Sequence, residues 1–241
     1  MSWRALRAQT AAEVRMTLEQ GERLLVTFLI PIAGLVLFSV VPIVATGTAH
    51  RVDFFAPSVL ALAVVSTAMV NLGISTGFER SWGVLKRLGA TPLGSPTLLA
   101  SKILAVLGVE IVQVAVLGAI ATGLGWHPHA GIAAGVGAEL LGTVAFAGIG
   151  FLLAGTLRAE VTLAVANGAY LVVLGISGIM FPLAKLGGFA AVARLLPGAA
   201  LADALHASLG TGASVSAETW IVLAAWALAV PTIAAASFRF E

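Results

Sequence analysis

The sequence contains no cysteine and few charged residues. Among its 241 residues are 13 Lys and Arg and 11 Asp and Glu, so charged side chains make up 10% of the chain, against about 25% in a soluble domain. The lack of cysteine excludes a disulfide, a thiolate metal site and a cysteine nucleophile in this sequence. The formal net charge of +2 gives nucleic-acid binding no electrostatic support, so we expect no nucleic-acid partner.

Apolar residues fill the chain instead. Hydrophobic residues make up 59% of the sequence, which is more than a soluble fold of this size can bury. They form long continuous runs and do not alternate with polar residues, as they would in the strands of a membrane barrel. The sequence therefore predicts an all-α integral membrane protein.

Six runs are long enough to cross a bilayer, for which a helix needs about 20 apolar residues. Four of them contain no Asp, Glu, Lys or Arg, and the other two are interrupted once, by Glu110 and by Glu139. We therefore predict six transmembrane helices. They cover residues 24–49, 54–78, 103–126, 130–157, 161–184 and 219–238.

The charges between these runs predict the orientation. With both termini in the cytoplasm, ten of the 13 Lys and Arg lie inside and three outside, as the positive-inside rule requires. The ten are Arg4, Arg7, Arg15, Arg23, Arg80, Lys86, Arg87, Lys102, Arg158 and Arg239, and the three are Arg51, Lys185 and Arg194. We expect a multi-pass protein of the cell membrane with both termini in the cytoplasm.

Three segments lie outside the predicted spans. Residues 1–23 have an apolar face and a charged face at helical spacing, which indicates an amphipathic helix in the membrane interface that precedes the six-span domain, residues 24–241. In the cytoplasmic loop 79–102, a short amphipathic helix starting at Ser81 is predicted to end in a turn rich in Gly and Pro. Residues 182–217 contain apolar pieces too short to span, which indicates an external re-entrant hairpin.

A few polar groups fall inside the predicted spans. Glu110 and Glu139 are the acidic ones, and their predicted depths in the membrane do not match, which argues against direct pairing. Hydrogen bonding between helices is one interpretation of such groups, and passage of a substrate or a proton is the other. The candidates for lining a path are Met69, Asn71, Glu110, Gln113, Asn167 and Tyr170.

Motifs for chemistry within the chain itself are weak. Residues 73–77 match G-x-S-x-G, but the predicted topology separates Ser75 from every histidine by most of the bilayer, so small-residue packing explains the match better than a hydrolase site. His127 and His129, with His50, are more simply loop residues than a metal site. No G-x-x-x-x-G-K-[ST] motif occurs, and we expect the chain to have no nucleotide site of its own.

Two segments carry a resemblance to a known family. Residues 78–93 read FERSWGVLKRLGATPL, which resembles the cytoplasmic loop of type-2 ABC exporter permeases, where E-R-x-x-G-x-L-K-R-L-x-x-T-P-L follows the second span. The daunorubicin-resistance permeases are the subgroup that it resembles most. Phe181-Pro182 and residues 195–206 are similar to the external re-entrant hairpin of this family, although many members have Arg where His206 stands.

The resemblance implies an ATP-driven mechanism. Two permease subunits, identical or related, would pair above two separately encoded ATPase subunits, which would bind ATP and Mg while this chain binds no cofactor. Arg80, Lys86 and Arg87 would face the ATPase, Trp82, Leu85 and Leu88 would anchor the short helix, and Thr91-Pro92 would stiffen its end. The implied coupling residues are Glu79, Arg80, Trp82, Leu85, Lys86, Arg87, Leu88, Thr91 and Pro92, and those of the hairpin are Pro182, Pro197, Asp203 and His206.

The expected function is therefore export of a hydrophobic or amphipathic substrate, a drug or a lipid, through a permease that is not itself an enzyme. Two alternatives stay open on sequence grounds. One is a secondary transporter driven by protons through Glu110 or Glu139, and the other is a membrane scaffold that transports nothing.

Overall fold

The computed structural model describes residues 3–19, 21–42, 50–89, 94–129 and 131–237, and this part of the chain is helical, without a strand. The α-helices are α1 (Trp3–Glu19), α2 (Gly21–Val40), α3 (Arg51–Val64), α4 (Leu72–Ser81), α5 (Val84–Gly89), α6 (Ser95–Gly123), α7 (Ile132–Thr156), α8 (Ala159–Ile176), α9 (Ala190–Ala193), α10 (Pro197–Leu205) and α11 (Ala217–Ser237). The predicted all-α membrane fold is confirmed.

Five helical rods in the described residues are long and apolar enough to cross a bilayer. The first joins α3 to α4 through a π-helical segment, Val65–Asn71, and makes one rod of 31 residues, Arg51–Ser81. The others are α6, α7, α8 and α11. They correspond to the last five predicted spans, and α2 lies where the first was predicted, so the count of six stays a prediction.

Three predicted boundaries are wrong. The helix α2 ends at Val40, nine residues before the predicted end of the first span. The helix α6 begins at Ser95, eight residues before its predicted start, because Ser95 to Lys102 is helical although it is not continuously apolar. The helix α8 ends at Ile176, eight residues before its predicted end, and Ser177 to Phe181 bend away from its axis. An apolar run shows which residues the bilayer or the protein core can surround. It does not show at which residue the helix begins or ends.

The helix α7 lies at the centre of the bundle and packs against the long rod, α10 and α11. Its small residues permit these close crossings. At Gly150, a Cβ atom would lie 2.9 Å from the backbone oxygen of Met69, so the π-helical segment approaches α7 more closely than any larger residue allows.

The segment between α8 and α11 contains short helices that do not cross the membrane. A 3₁₀ helix, Leu183–Phe189, and α9 precede α10, which is followed by a π-helical segment, His206–Thr211. The helix α10 is almost wholly buried against α3, α7 and α11. These short helices lie within residues 182–217, and that they form an external re-entrant hairpin stays a prediction.

Candidate functional site

The loop after α4 differs in detail from its predicted form. The helix α4 continues through Ser81, a turn follows at Trp82 and Gly83, and α5 begins only at Val84. Gly83 has a φ of +70°, a left-handed conformation that favours glycine and lets α5 start in a new direction. Ser81 was predicted to start the short helix, and it instead ends the preceding one.

The apolar side chains of this loop do not share one environment. Leu85 is fully buried, and Leu88 packs against the hydrophobic core. The side chain of Trp82, by contrast, is 65% exposed, because it lies in the turn and not on the buried side of α5. Thr91 and Pro92, the predicted stiff turn, lie outside the described residues.

Arg80 is turned toward the protein, and this differs from its expected orientation toward a partner. Its Nη1 donates to the carbonyl oxygen of Ala154 at 2.7 Å, and its Nη2 donates to that of Leu157 at 3.2 Å. These carbonyls belong to the end of α7, where the last turn of a helix lacks backbone donors and favours a cation. Arg80 therefore attaches the end of α4 to the end of α7.

A buried ion cluster of Glu13, Glu79 and Lys102 connects the start of the same loop to α1 and α6. Lys102 on α6 places its Nζ 2.9 Å from Glu13 Oε2 on α1 and 2.8 Å from Glu79 Oε2 on α4. Gln9 donates to the second oxygen of Glu13 at 2.9 Å. The side chain of Lys102 is only 2% exposed, so its charge is matched by carboxylates from two other helices and not by water.

Sequence reasoning assigned Lys102 to orientation alone and did not single out Glu13. The two residues are 89 positions apart, and no spacing rule connects them. The available signal was weak, because Glu13 is one of two acidic residues in α1 and the other, Glu19, pairs with Arg15 on the surface.

The exposed charge on α5 is cationic. Lys86 and Arg87 are both exposed, whereas Arg80 and Glu79 bind within the protein. The loop thus presents two basic side chains on the short helix α5. The end of α4, just before α5, is attached to α1, α6 and α7. Such a surface suits an acidic groove on another protein.

The polar residues predicted to line a path fall into separate groups. Gln113 accepts a hydrogen bond from Thr67 at 3.1 Å and donates to the backbone oxygen of Thr27, while Asn71 donates to the Thr27 hydroxyl. This network joins α2, the π-helical segment and α6. Met69 is buried beside it, whereas Asn167 is exposed on α8 and donates to Leu163 O of its own helix, and Tyr170 is half-buried.

Glu110 and Glu139 lie closer than their predicted depths implied. Because α6 starts eight residues early, Glu110 falls near the middle of this 29-residue helix. The hydroxyl of Thr143 on α7 lies 2.5 Å from Glu110 Oε2, and the two carboxyl groups are within electrostatic reach of each other. The two residues therefore lie at similar heights in the bundle, contrary to the predicted mismatch. The contact of Thr143 with Glu139 is to the backbone oxygen, and no hydrogen bond joins the two carboxyl groups among the described residues.

The hairpin and α3 enclose a cavity of about 290 Å³. Asp53, Phe54, Pro182, Asp203 and His206 lie on its wall. His206 Nε2 lies 3.1 Å from the hydroxyl of Ser58 on α3, and burial lowers the pKa of His206 to about 4 although Asp203 opposes this. Asp203 accepts a hydrogen bond from Thr219 at 2.7 Å.

The predicted hairpin residues therefore converge in part. Pro182, Asp203 and His206 line this one cavity, while Pro197 is buried in the first turn of α10. The cavity contact joins the hairpin to the N-terminal part of the long rod, whose C-terminal end carries the loop described above.

The comparisons with known proteins agree with this architecture. A family model described as ABC-2 type transporter matches residues 4–209. The matched residues start in α1, include the loop with α5, and end in the π-helical segment His206–Thr211. No curated protein matches the chain.

Proposed function

The chain belongs to the ABC-2 type transporter family, and on this premise we propose that it is the permease subunit of an ATP-driven exporter for hydrophobic or amphipathic substrates, drugs or lipids. Two separate ATPase subunits bind beneath it and supply ATP and Mg. A second permease copy, or a related permease, completes the path across the cell membrane.

The observation that carries this proposal is the attachment of α5 to the spans. Leu85 anchors the helix in the core, Arg80 binds the end of α7, and the carboxylate of Glu79 binds the buried Lys102. A loop that served only to set orientation would not require a buried cluster to hold its base. A loop that transmits force requires one.

The same contacts indicate which elements would move if an ATPase subunit displaced α5. The long rod Arg51–Ser81 would move with α5 because α4, which precedes α5, is the last third of the rod. The helix α7 would move with them because Arg80 is hydrogen-bonded to its end. The helices α1 and α6 would move because Lys102 forms ion pairs that connect them to α4. Closure of the ATPase subunits would thus move four elements together and reorient the spans.

Charge reversal on α5 tests the proposal. Lys86→Glu with Arg87→Glu leaves the anchoring contacts in place and reverses only exposed charge. We expect a loss of tenfold or more in vanadate-sensitive ATPase activity that copurifies with the tagged full chain from its own membranes, with a similar loss of efflux, because like charges across an interface repel.

The matched control is Lys185→Glu with Arg194→Glu, which makes the same change of charge on the opposite face and should leave both activities unchanged. Copurifying ATPase and efflux at wild-type levels in the α5 variant would contradict the proposal. So would efflux by the purified chain without an ATPase, since a secondary transporter needs none.

A further inference from the structure

The acidic residues within α6 and α7 take no part in the proposed coupling, yet their surroundings are specific. Glu110 is 6% exposed, and its Oε1 and the Oε1 of Glu139 are both buried without a hydrogen-bond partner among the described residues. A buried carboxyl group in a span is costly when charged, so its protonation state has to be explained.

The hydroxyl of Thr143 makes two contacts. Its Oγ1 lies 2.9 Å from the backbone oxygen of Glu139, one turn earlier on α7, and 2.5 Å from Glu110 Oε2 on α6. A hydroxyl carries one hydrogen to donate and two lone pairs to accept with. It can therefore satisfy one of these two oxygens as a donor, and the other contact needs a hydrogen from elsewhere.

The backbone oxygen of Glu139 has no hydrogen to give, so a hydrogen bond in this contact has to be donated by Thr143. The contact with Glu110 is then bonded only if the carboxyl group of Glu110 carries the hydrogen and donates it to Thr143. An ionised Glu110 would leave one of the two contacts as a close approach of two oxygens without a hydrogen between them.

From this geometry we propose that Glu110, Thr143 and Glu139 form a proton-binding site within the membrane, in which Glu110 is a carboxylic acid that donates to Thr143. The proton neutralises Glu110 beside Glu139, the acidic residue on α7 that lies within electrostatic reach of it. Its loss would place negative charge at the α6–α7 contact and favour separation of the two helices there. This site lies beyond the proposed function, and its ligand is the proton.

Infrared spectroscopy of the full chain in lipid bilayers tests the assignment. With glutamate labelled by ¹³C, we expect a protonated carboxyl C=O band at neutral pH that shifts in D₂O. The component of this band that belongs to Glu110 should be lost in Glu110→Gln and retained in Glu139→Gln. Glu160→Gln, which changes an exposed acid at the start of α8, is the matched control and should retain it.

Absence of the band from the wild type, or a band of unchanged intensity in Glu110→Gln, would overturn the proposal, and so would loss of the whole band in Glu139→Gln. Thr143→Val keeps Glu110 and nearly the shape of Thr143 while removing the hydroxyl. The band should persist in this variant at a shifted frequency, and an unshifted band would also overturn the proposal. None of these outcomes depends on an ATPase, so the proposed function is tested separately.

Discussion

Lys102 shows how a single side chain can join distant parts of the chain. It is buried and pairs with carboxylates on α1 and α4. Neutralising a buried cation leaves its partners charged, without compensation and out of reach of full hydration, and this costs more than the ion pair itself is worth. The cluster should therefore be sensitive to loss of one partner.

We predict that Lys102→Met lowers the free energy of unfolding by about 3 kcal/mol, measured by thermal unfolding in detergent. The control is Arg15→Met, which breaks an ion pair with Glu19 whose side chains are 82% and 61% exposed. This change should cost less than about 1 kcal/mol, as exposed pairs do. Equal melting temperatures for the two variants would show that the buried cluster does not stabilise the fold.

The residue scale is also where sequence reasoning was least informative. Arg80, Lys86 and Arg87 are alike in sequence, since all three are basic residues of one loop. The structure distinguishes them because the end of α7 lies beside Arg80 and offers it two carbonyls. That neighbour is 74 residues away in the chain, so no local pattern predicts the contact.

At the scale of elements, the crossing of the π-helical segment with α7 is set by one glycine. A Cβ atom at residue 150 would meet two backbone oxygens, those of Met69 at 2.9 Å and Ala68 at 3.1 Å. Backbone atoms cannot rotate away as a side chain does, so the helices have to move apart.

We therefore predict that Gly150→Ala lowers stability by about 1–3 kcal/mol, as overpacking does, and that it lowers transport with it. The measurement is thermal unfolding beside an efflux assay. Gly108→Ala, on a surface of α6 with nothing within 4 Å, is the control and should be neutral or slightly stabilising because alanine favours a helix. A stable Gly150→Ala protein would mean that the crossing tolerates a wider spacing.

The existence of the apolar helices was predictable because a helix that crosses the bilayer needs a certain length and hydropathy. The residues at which these helices begin and end were not predictable in this way. The start of α6 contains Ser95, Pro96 and Lys102, which a hydropathy reading rejects. Lys102 is tolerated there because two carboxylates neutralise it. The early end of α8 is set by a bend at residues that are themselves apolar or small, so composition gave no indication of it.

At the scale of the whole molecule, the predicted orientation in the membrane depends on the distribution of charge alone. It can be tested by labelling introduced cysteines, because no native thiol is present to react. The chain has no cysteine, so a single introduced thiol reports its own location. Trp82 and Ala213 are both exposed, the first in the loop before α5 and the second just before α11. The predicted topology places them on opposite faces of the membrane.

We predict that a membrane-impermeant maleimide labels Ala213→Cys in intact cells and leaves Trp82→Cys unlabelled until the cells are permeabilised. The positive-inside bias is the physical reason. Labelling is measured by the mass shift of the purified protein. The reverse pattern would place α5 outside the cell and would remove the basis for an ATPase partner.

In the predicted topology, the rod Arg51–Ser81 connects the two surfaces of the membrane. Its 31 residues span about 46 Å at 1.5 Å per residue, more than the hydrocarbon thickness of about 30 Å. Ser58 near one end contacts His206 of the hairpin, and Glu79 and Arg80 at the other end hold the base of α5. One continuous helical rod thus joins the residues that attach α5 to the residue that contacts the hairpin. In the proposed mechanism, a displacement of α5 would reach the opposite surface of the membrane through this rod alone.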